Sequence, residues 1–360
     1  MKKFDGYVKG VDFGGWLSQC SEYSTEHYNE FITESDFEVV ASWGCDHVRL
    51  PVDYQVFQND DGSFIEGRFK YIENAILWAI NNNLNLILDL HKTIGYSFDV
   101  DASKISFFDD EKLQEHFYAL WEEFARRFAK NEDMLSFELL NEVTLPSYNT
   151  AWNRIAGEAI KRIRAISPTV KILVGGYWNN SIEAIKDLDK PADENIVYNF
   201  HCYDPLLFTH QGARWLKGMP ANFRIGYPCE IEKLNEEARK NGMDDYVVRL
   251  NGDSGAGTQG RVGAHVQVGT QARKFDKQFF IDRFREGIKI CEERDVALYC
   301  GEYGVINKAN TEDTLQWFKD INAAFKECGI GRACWTYKSH SFGLTDEHMK
   351  GVVNEVVKLL

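Results

Sequence analysis

The stretch LSFELLNEV, Leu135 to Val143, carries two carboxylates inside what otherwise reads as a buried strand. Alternate residues of a strand share a face. If Leu135, Phe137 and Leu139 face surrounding helices, then Ser136, Glu138, Leu140 and Glu142 face the inside of a sheet that closes on itself. At about 3.3 Å per residue, Glu138 lies about 13 Å below Glu142. A carboxyl that deep needs a cation or hydrogen-bond donors, so Glu138 reads as part of a buried polar layer. Glu142 stands at the open end and is the candidate for chemistry.

The neighbours of this strand set the fold. Strand-like runs at about 8–13, 47–52, 85–90, 170–175, 195–201, 296–301 and 331–336 bring the number to eight, and amphipathic stretches separate them. In EHYNEFITESDFEVVASWG, for example, Phe31, Phe37, Val40 and Trp43 recur at helical spacing and Gly44 supplies the stop. Eight such units predict an α/β protein of the (β/α)8 TIM-barrel type, one domain over residues 1–360, with its working groups at the carboxyl ends of the strands. From Asp204 to Phe275 no strand–helix unit fits, and ten of the chain's 28 glycines fall there. We therefore expect residues 204–275 to be an insertion after strand 6, a lid or small subdomain over the barrel mouth. Within it GAGTQG, Gly255 to Gly260, matches a dinucleotide-binding GxGxxG, but the following RVGAHVQVG does not open a helix. A glycine-rich loop or hairpin is the better reading.

Composition restricts the partners. Acidic residues outnumber basic ones, 55 to 41, for a formal net charge of -14, which argues against nucleic acid or an anionic membrane surface. No segment approaches the ~18 apolar residues of a membrane span. The opening MKKFDGYVKG has two lysines and no apolar run behind them, so we expect either an intracellular protein or one whose leader has been removed. The eight cysteines show no metal spacing, and several lie in apolar runs, as reduced cysteines do. We expect a monomer with no cofactor and no metal.

The alternation argument extends to the other strands. It turns inward His47 and Arg49 of DHVRLPV, Asp89 and His91 of LILDLH, and Asn199, His201 and Tyr203 of IVYNFHCY. Glu302 of ALYCGEYG follows Leu298 and Cys300 inward, and Trp335 closes the last strand. Singly, each has an ordinary explanation as a core or ion-pair residue; together they collect polar and aromatic groups at one rim. Strands 4 and 7, three apart at about 4.8 Å spacing, put their Cα atoms roughly 12–13 Å apart, and two inward glutamates then leave about 5 Å between carboxyls. That fits a retaining glycosidase, and an error of about 2–3 Å also admits an inverting pair. A metal-dependent hydrolase would want several convergent histidines, and His91 with His201 makes a poor site.

DFGGW (12–16), DHVRLP (46–51), FELLNE (137–142), VYNFH.Y (197–203), FTHQ (208–211), LYCGE.GV (298–305) and W.YK (335–338) occur in this order. On these motifs the chain resembles glycoside hydrolase family 5, the clan A cellulase family, over nearly its whole length. The resemblance implies that Glu142 is the acid/base and Glu302 the nucleophile, and that Asn141 bonds the sugar 2-hydroxyl. It further implies that Arg49 and Tyr203 orient Glu302 and keep it ionised, while His91, His201 and Trp335 wall the subsite before the scissile bond. A guanidinium and a phenol should then lower the pKa of Glu302, while partial burial and the neighbouring charge raise that of Glu142. The implied activity is that of a retaining endo-β-glycanase on β-1,4-glucosidic bonds of cellulose-like or mixed-linkage glucans. Mannan, xylan and xyloglucan are the alternatives on the same frame; a non-catalytic glycan-binding barrel would have lost one carboxylate.

Two departures stand out. Lys92 takes the place where close relatives often carry a second histidine, and residues 225–270 or so follow no family pattern. Sugar rings stack on aromatics, which makes the nine tryptophans informative. Trp43, Trp78, Trp121, Trp152 and Trp317 fall in helical patterns and are expected in the core. Trp16 and Trp178, ending strands 1 and 5, are candidates for the cleft wall. Trp215 belongs to the insertion.

Overall fold

In the computed structural model, which describes residues 1–248 and 273–360, eight parallel strands close into a barrel in chain order. They are β1 (Lys9–Asp12), β2 (His47–Asp53), β3 (Asn85–Lys92), β4 (Leu135–Glu138), β5 (Lys171–Gly175), β6 (Ile196–His201), β7 (Ala297–Tyr303) and β8 (Gly331–Cys334). Helices such as Glu111–Phe128, Asn149–Arg164, Lys277–Glu293 and Thr311–Cys328 return the chain between strands. Their starts are legible: Asp110, Asp276 and Asn310 accept the first free N–H groups of three of them. The segment from Thr25 to Gly44 forms two helices, Thr25–Glu30 and Glu34–Ser42, because Asp36 accepts from the Thr33 N–H at 2.7 Å and starts the second one afresh.

Apolar side chains pack in two separate places. The large core lies between barrel and helices and takes in Trp121, Trp152 and Trp317, with Trp43 and Trp78 packed against it half-buried. A small cluster fills the barrel floor, where Phe4 and Tyr7 of the amino-terminal segment meet Ile87, Leu173, Val197, Ala297, Tyr299 and Ala333. His47 bridges this floor by its 2.6 Å contact with the Tyr299 hydroxyl. Above it the interior turns polar, and that is where the strand ends converge.

Strict alternation fails in two strands, with consequences for the site. In β7, Leu298 and Cys300 join the outer core while Ala297 and Tyr299 face inward, the reverse of expectation. A register shift between Cys300 and Tyr303 resets the parity, so Glu302 still reaches the interior. In β4 the strand ends at Glu138, and Leu139 and Leu140 both join the outer core. Glu142 arrives at the mouth through a left-handed backbone (φ 45°), not by continued alternation.

The described part of the insertion leaves β6 and contains the short helices Leu206–Thr209 and Ile231–Lys240. Ile231, Leu234 and Ala238 are buried, and the Tyr227 hydroxyl donates to Asp320 of the helix Thr311–Cys328 at 2.9 Å. The GAGTQG motif lies outside the described residues. No helix among the described residues is long and apolar enough to cross a membrane.

Candidate active site

The site is organised around one buried guanidinium. Arg49, from β2, donates through Nε and Nη2 to Glu138 (2.7 and 2.9 Å), through Nη1 to Asp12 (3.0 Å) and Glu302 (2.9 Å), and through Nη2 to Asn141 Oδ1 (2.9 Å). Asp89 lies 3.0 Å from Nη2. Glu138 also accepts from Asn199 at 2.8 Å. Glu138 thus closes a polar layer as expected, yet it is not remote, since a single guanidinium spans from it to Glu302. Burial opposes the charge on Arg49, but Asp89, Glu138 and Asp12 outweigh it and hold the group protonated.

The mouth carries the second carboxylate. Oxygens of Glu142 and Glu302 and a ring nitrogen of His201 all lie within 4.8 Å of one another. His201 Nδ1 is 2.9 Å from Glu142 Oε1 and 3.6 Å from Glu302 Oε2. The Tyr203 hydroxyl donates to Glu302 Oε2 at 2.9 Å, and Asn179 Nδ2 donates to Glu142 Oε2 at 2.9 Å.

Burial dominates the titration of both carboxyls and pushes each up to about 7. The expected net lowering of Glu302 is therefore reversed: His201, Arg49 and the Tyr203 hydroxyl pull against a larger desolvation. The donor sets still separate the pair. Glu302 has a guanidinium and a phenol, Glu142 a carboxamide and an imidazole that burial holds neutral, with its pKa lowered to about 4. These donors favour the charge on Glu302, and a charge there favours the proton on Glu142.

The walls follow from the same strands. Asp89 Oδ2 accepts from His91 Nδ1 at 2.6 Å, and the His91 ring lies parallel to Trp335, centroids 5.6 Å apart and planes 2° apart. Gly14 has to be glycine here, because a Cβ would stand 2.7 Å from the Trp335 ring. With Oδ1 of Asn141 fixed on Arg49, its buried Nδ2 has no protein partner among the described residues and is free to donate to a ligand. Lys92 pairs with Asp99 at 2.8 Å beside the ring of Phe98.

One aromatic assignment changes. Trp16 is fully buried, donates to the Tyr28 carbonyl at 2.8 Å and stacks on Trp78, so it belongs to the core; the turn after β1 sends it outward. Trp178 is half-buried beside Tyr177, and the residue of its loop that reaches Glu142 is Asn179. Trp215, at 60% exposure, stands on the rim 6.3 Å from His210, which packs on Tyr203. Alternation overlooked Asp12, Asn179 and Asn180. The signal for the asparagines was the WNN run directly after a strand, since asparagine favours left-handed turns.

The comparisons with known proteins agree with this geometry. The sequence model of the family described as Cellulase (glycosyl hydrolase family 5) matches residues 8–341. Cellodextrinase A of Ruminococcus flavefaciens is 40% identical over 93% of this chain and 86% of its own length, and Endoglucanase C of Acetivibrio thermocellus is 36% identical over 98% of each. Among solved structures, an endoglucanase superposes with a TM-score of 0.72 at 20% identity, covering 98% of this chain and 97% of that one. Thermotoga maritima Cel5A with cellobiose superposes with a TM-score of 0.71 at 22% identity and the same coverage. The barrel is thus that of a glycoside hydrolase. The chain belongs to glycosyl hydrolase family 5, the cellulases.

Proposed function

We propose that this enzyme hydrolyses internal β-1,4-glucosidic bonds of a β-glucan with retention, Glu302 acting as nucleophile and Glu142 as acid/base. The observation that carries the reading is the approach of their carboxylate oxygens to within 4.8 Å. Retaining pairs stand about 5–5.5 Å apart, whereas an inverting pair needs about 6.5–9.5 Å to admit a water. In the first step a Glu302 oxygen bonds to the sugar C1, the glycosidic bond breaks, and Glu142 gives its proton to the departing oxygen. In the second, the Glu142 carboxylate takes a proton from water, the water oxygen bonds to C1, and Glu302 leaves as a carboxylate. Asn141 Nδ2 is placed to donate to the 2-hydroxyl, with His91, His201 and Trp335 around that sugar. The names of the relatives, Endoglucanase C and Cellodextrinase A, support a β-1,4-glucan as substrate.

The test uses an aryl cellobioside with a good leaving group, which needs no proton to depart. Glu142→Gln should release a burst of phenol and stall, and azide, which needs no base, should restore turnover and give the β-glycosyl azide. Glu302→Gln should give neither, because no covalent intermediate can form. Near-normal hydrolysis by Glu302→Gln would overturn the assignment.

The enzyme works as a monomer without metal, so a chelator should leave its rate unchanged; a loss restored by a divalent cation would instead assign Glu142, His201 and Glu302 to an ion. The lid expected over residues 204–275 lies partly outside the described residues; its described part borders the mouth, a reading supported by the contact of His210 with Tyr203 and by the exposed Trp215.

A further inference from the structure

The loop after β5 holds three consecutive residues in left-handed backbone, Trp178, Asn179 and Asn180, with φ of 52°, 57° and 57°. Such a run is costly for non-glycine residues, about 1–3 kcal/mol each for sparsely populated conformations, and it needs a reason. The reason visible here is aim. In a strand, consecutive side chains point to opposite faces, but this turn brings both asparagines to the catalytic pair. Asn179 Nδ2 donates to Glu142 Oε2 at 2.9 Å, and its backbone N–H donates to the Val143 carbonyl at 2.9 Å, tying the two loops together. Asn180 is fully buried, with Nδ2 at 3.4 Å from His201 Nε2. Gly175 makes room for it, since a Cβ there would stand 2.3 Å from Asn180 Oδ1.

The chemistry of the groups orders this chain. With the Asn180 NH2 turned to His201 it can only donate, which assigns the acceptor role to His201 Nε2 and the ring proton to Nδ1. Nδ1 therefore donates to Glu142 Oε1 at 2.9 Å. Both oxygens of Glu142 accept a neutral donor, one directly from the loop and one through a histidine that the loop holds in a single tautomer. Neutral donors on both oxygens favour the carboxylate without supplying a charge that would forbid its protonation.

We propose that Asn179 and Asn180 are positioning residues that hold Glu142 as the base for the second half of the reaction, Asn179 at Oε2 and Asn180 through His201 at Oε1. This rests on Glu142 being the acid/base. In that step the Glu142 carboxylate takes a proton from water as the water oxygen replaces Glu302 on C1. Other groups face Glu142 as well: Tyr96 and Asp99 from the segment after β3, Glu138 below and Arg49 beside it, and Tyr203 and Glu302 across the mouth. Asp204 and Arg283 border the same small cavity. Among the described residues, only Asn179 and His201 donate to the carboxylate oxygens of Glu142.

The experiment compares Asn179→Gly and Asn179→Asp with the parent enzyme. Glycine takes a φ of 57° without strain and removes the donor; aspartate also tolerates that φ and replaces the donor with a carboxylate. Losing a donor to the ionised form raises the pKa of Glu142. The alkaline limb of kcat/KM, where the acid is lost, should then move up in Asn179→Gly by about half a unit to one unit, and further in Asn179→Asp. With an activated aryl cellobioside, turnover is limited by the second step, and kcat at acidic to neutral pH should fall about three- to tenfold, in step with the pKa. A merely structural role would lower the rate evenly and leave both limbs in place, and that result with folded variants would overturn the proposal. Glu142→Gln is run alongside: if it shows no burst and no azide rescue, the acid/base assignment itself fails. A normal Glu142→Gln response with unmoved limbs in Asn179→Gly would refute the asparagine roles alone.

Discussion

Replacing Arg49 by lysine keeps the charge and removes the geometry, and the structure indicates what that costs. The guanidinium reaches Glu138 twice, Asp12, Asp89, Asn141 and Glu302, six contacts between 2.7 and 3.0 Å. An ammonium has three donors on a single atom, so about three buried acceptors lose their partner. At roughly 1–2 kcal/mol each, the low part of the range for unsatisfied buried groups, the loss is about 3–6 kcal/mol, against a typical total of about 5–15. Over 360 residues the unfolding entropy at the midpoint is roughly 0.8 kcal/mol/K, so Tm should fall by about 4–8 °C in calorimetry. Without the Nη1 contact to Glu302 the nucleophile loses its strongest donor, and kcat/KM should fall about 10²- to 10³-fold, the loss typical of one preorganised donor. A Tm within 1 °C of the parent, with kcat/KM within about twofold, would show that the surrounding carboxyls are neutralised by their own protons and make no demand on Arg49.

Two further substitutions probe the layers above and below. Glu138→Gln keeps the shape but leaves Arg49 without its bidentate partner, so it should cost about 2–4 kcal/mol of stability in urea unfolding and less than tenfold in kcat; a larger loss of rate than of stability would place Glu138 in the chemistry. Trp215→Ala should leave Tm unchanged, because the ring is 60% exposed, and should raise KM for long cello-oligosaccharides by about three- to tenfold. Unchanged kinetics on every chain length would put the described part of the insertion away from the substrate path.

The parts of this site that could be read in the sequence are those fixed by local alternation. Arg49, Asp89, His91, Asn199 and His201 lie on strands whose parity holds, and all five reach the interior. Glu302 reaches the interior although Leu298 and Cys300, which set its parity, face outward, because a bulge corrects the count. A bulge is invisible in a strand-like sequence, since it changes pairing and not residue type. Trp16 shows the other limit: whether a tryptophan after a strand turns into the cleft or out to the helices depends on the turn, and here the outward pocket is built by Tyr28 and Trp78 from elsewhere in the chain. The roles of Asn179 and Asn180 depend on contacts with Glu142 and His201, 37 and 21 residues away, which no local pattern encodes.

The charge balance of the interior explains why the layer beneath the mouth matters to chemistry. Among the described residues, Arg49 is the one cation among Asp12, Asp89, Glu138 and Glu302, and four ionised carboxylates around one guanidinium would leave three uncompensated negative charges out of reach of water. Burial raises Asp12, Asp89 and Glu138, Asp89 to about 7, so near neutral pH part of this layer is protonated. Each proton held below removes a repulsion from Glu302, whose own donors, Arg49 and Tyr203, then suffice to keep it ionised and aimed at C1. On this argument the buried acids act as a reservoir that sets how much of the Arg49 charge the nucleophile receives. Removing one of them, as in Asp12→Asn, should ease ionisation of Glu302 and move the acid limb of kcat/KM to lower pH.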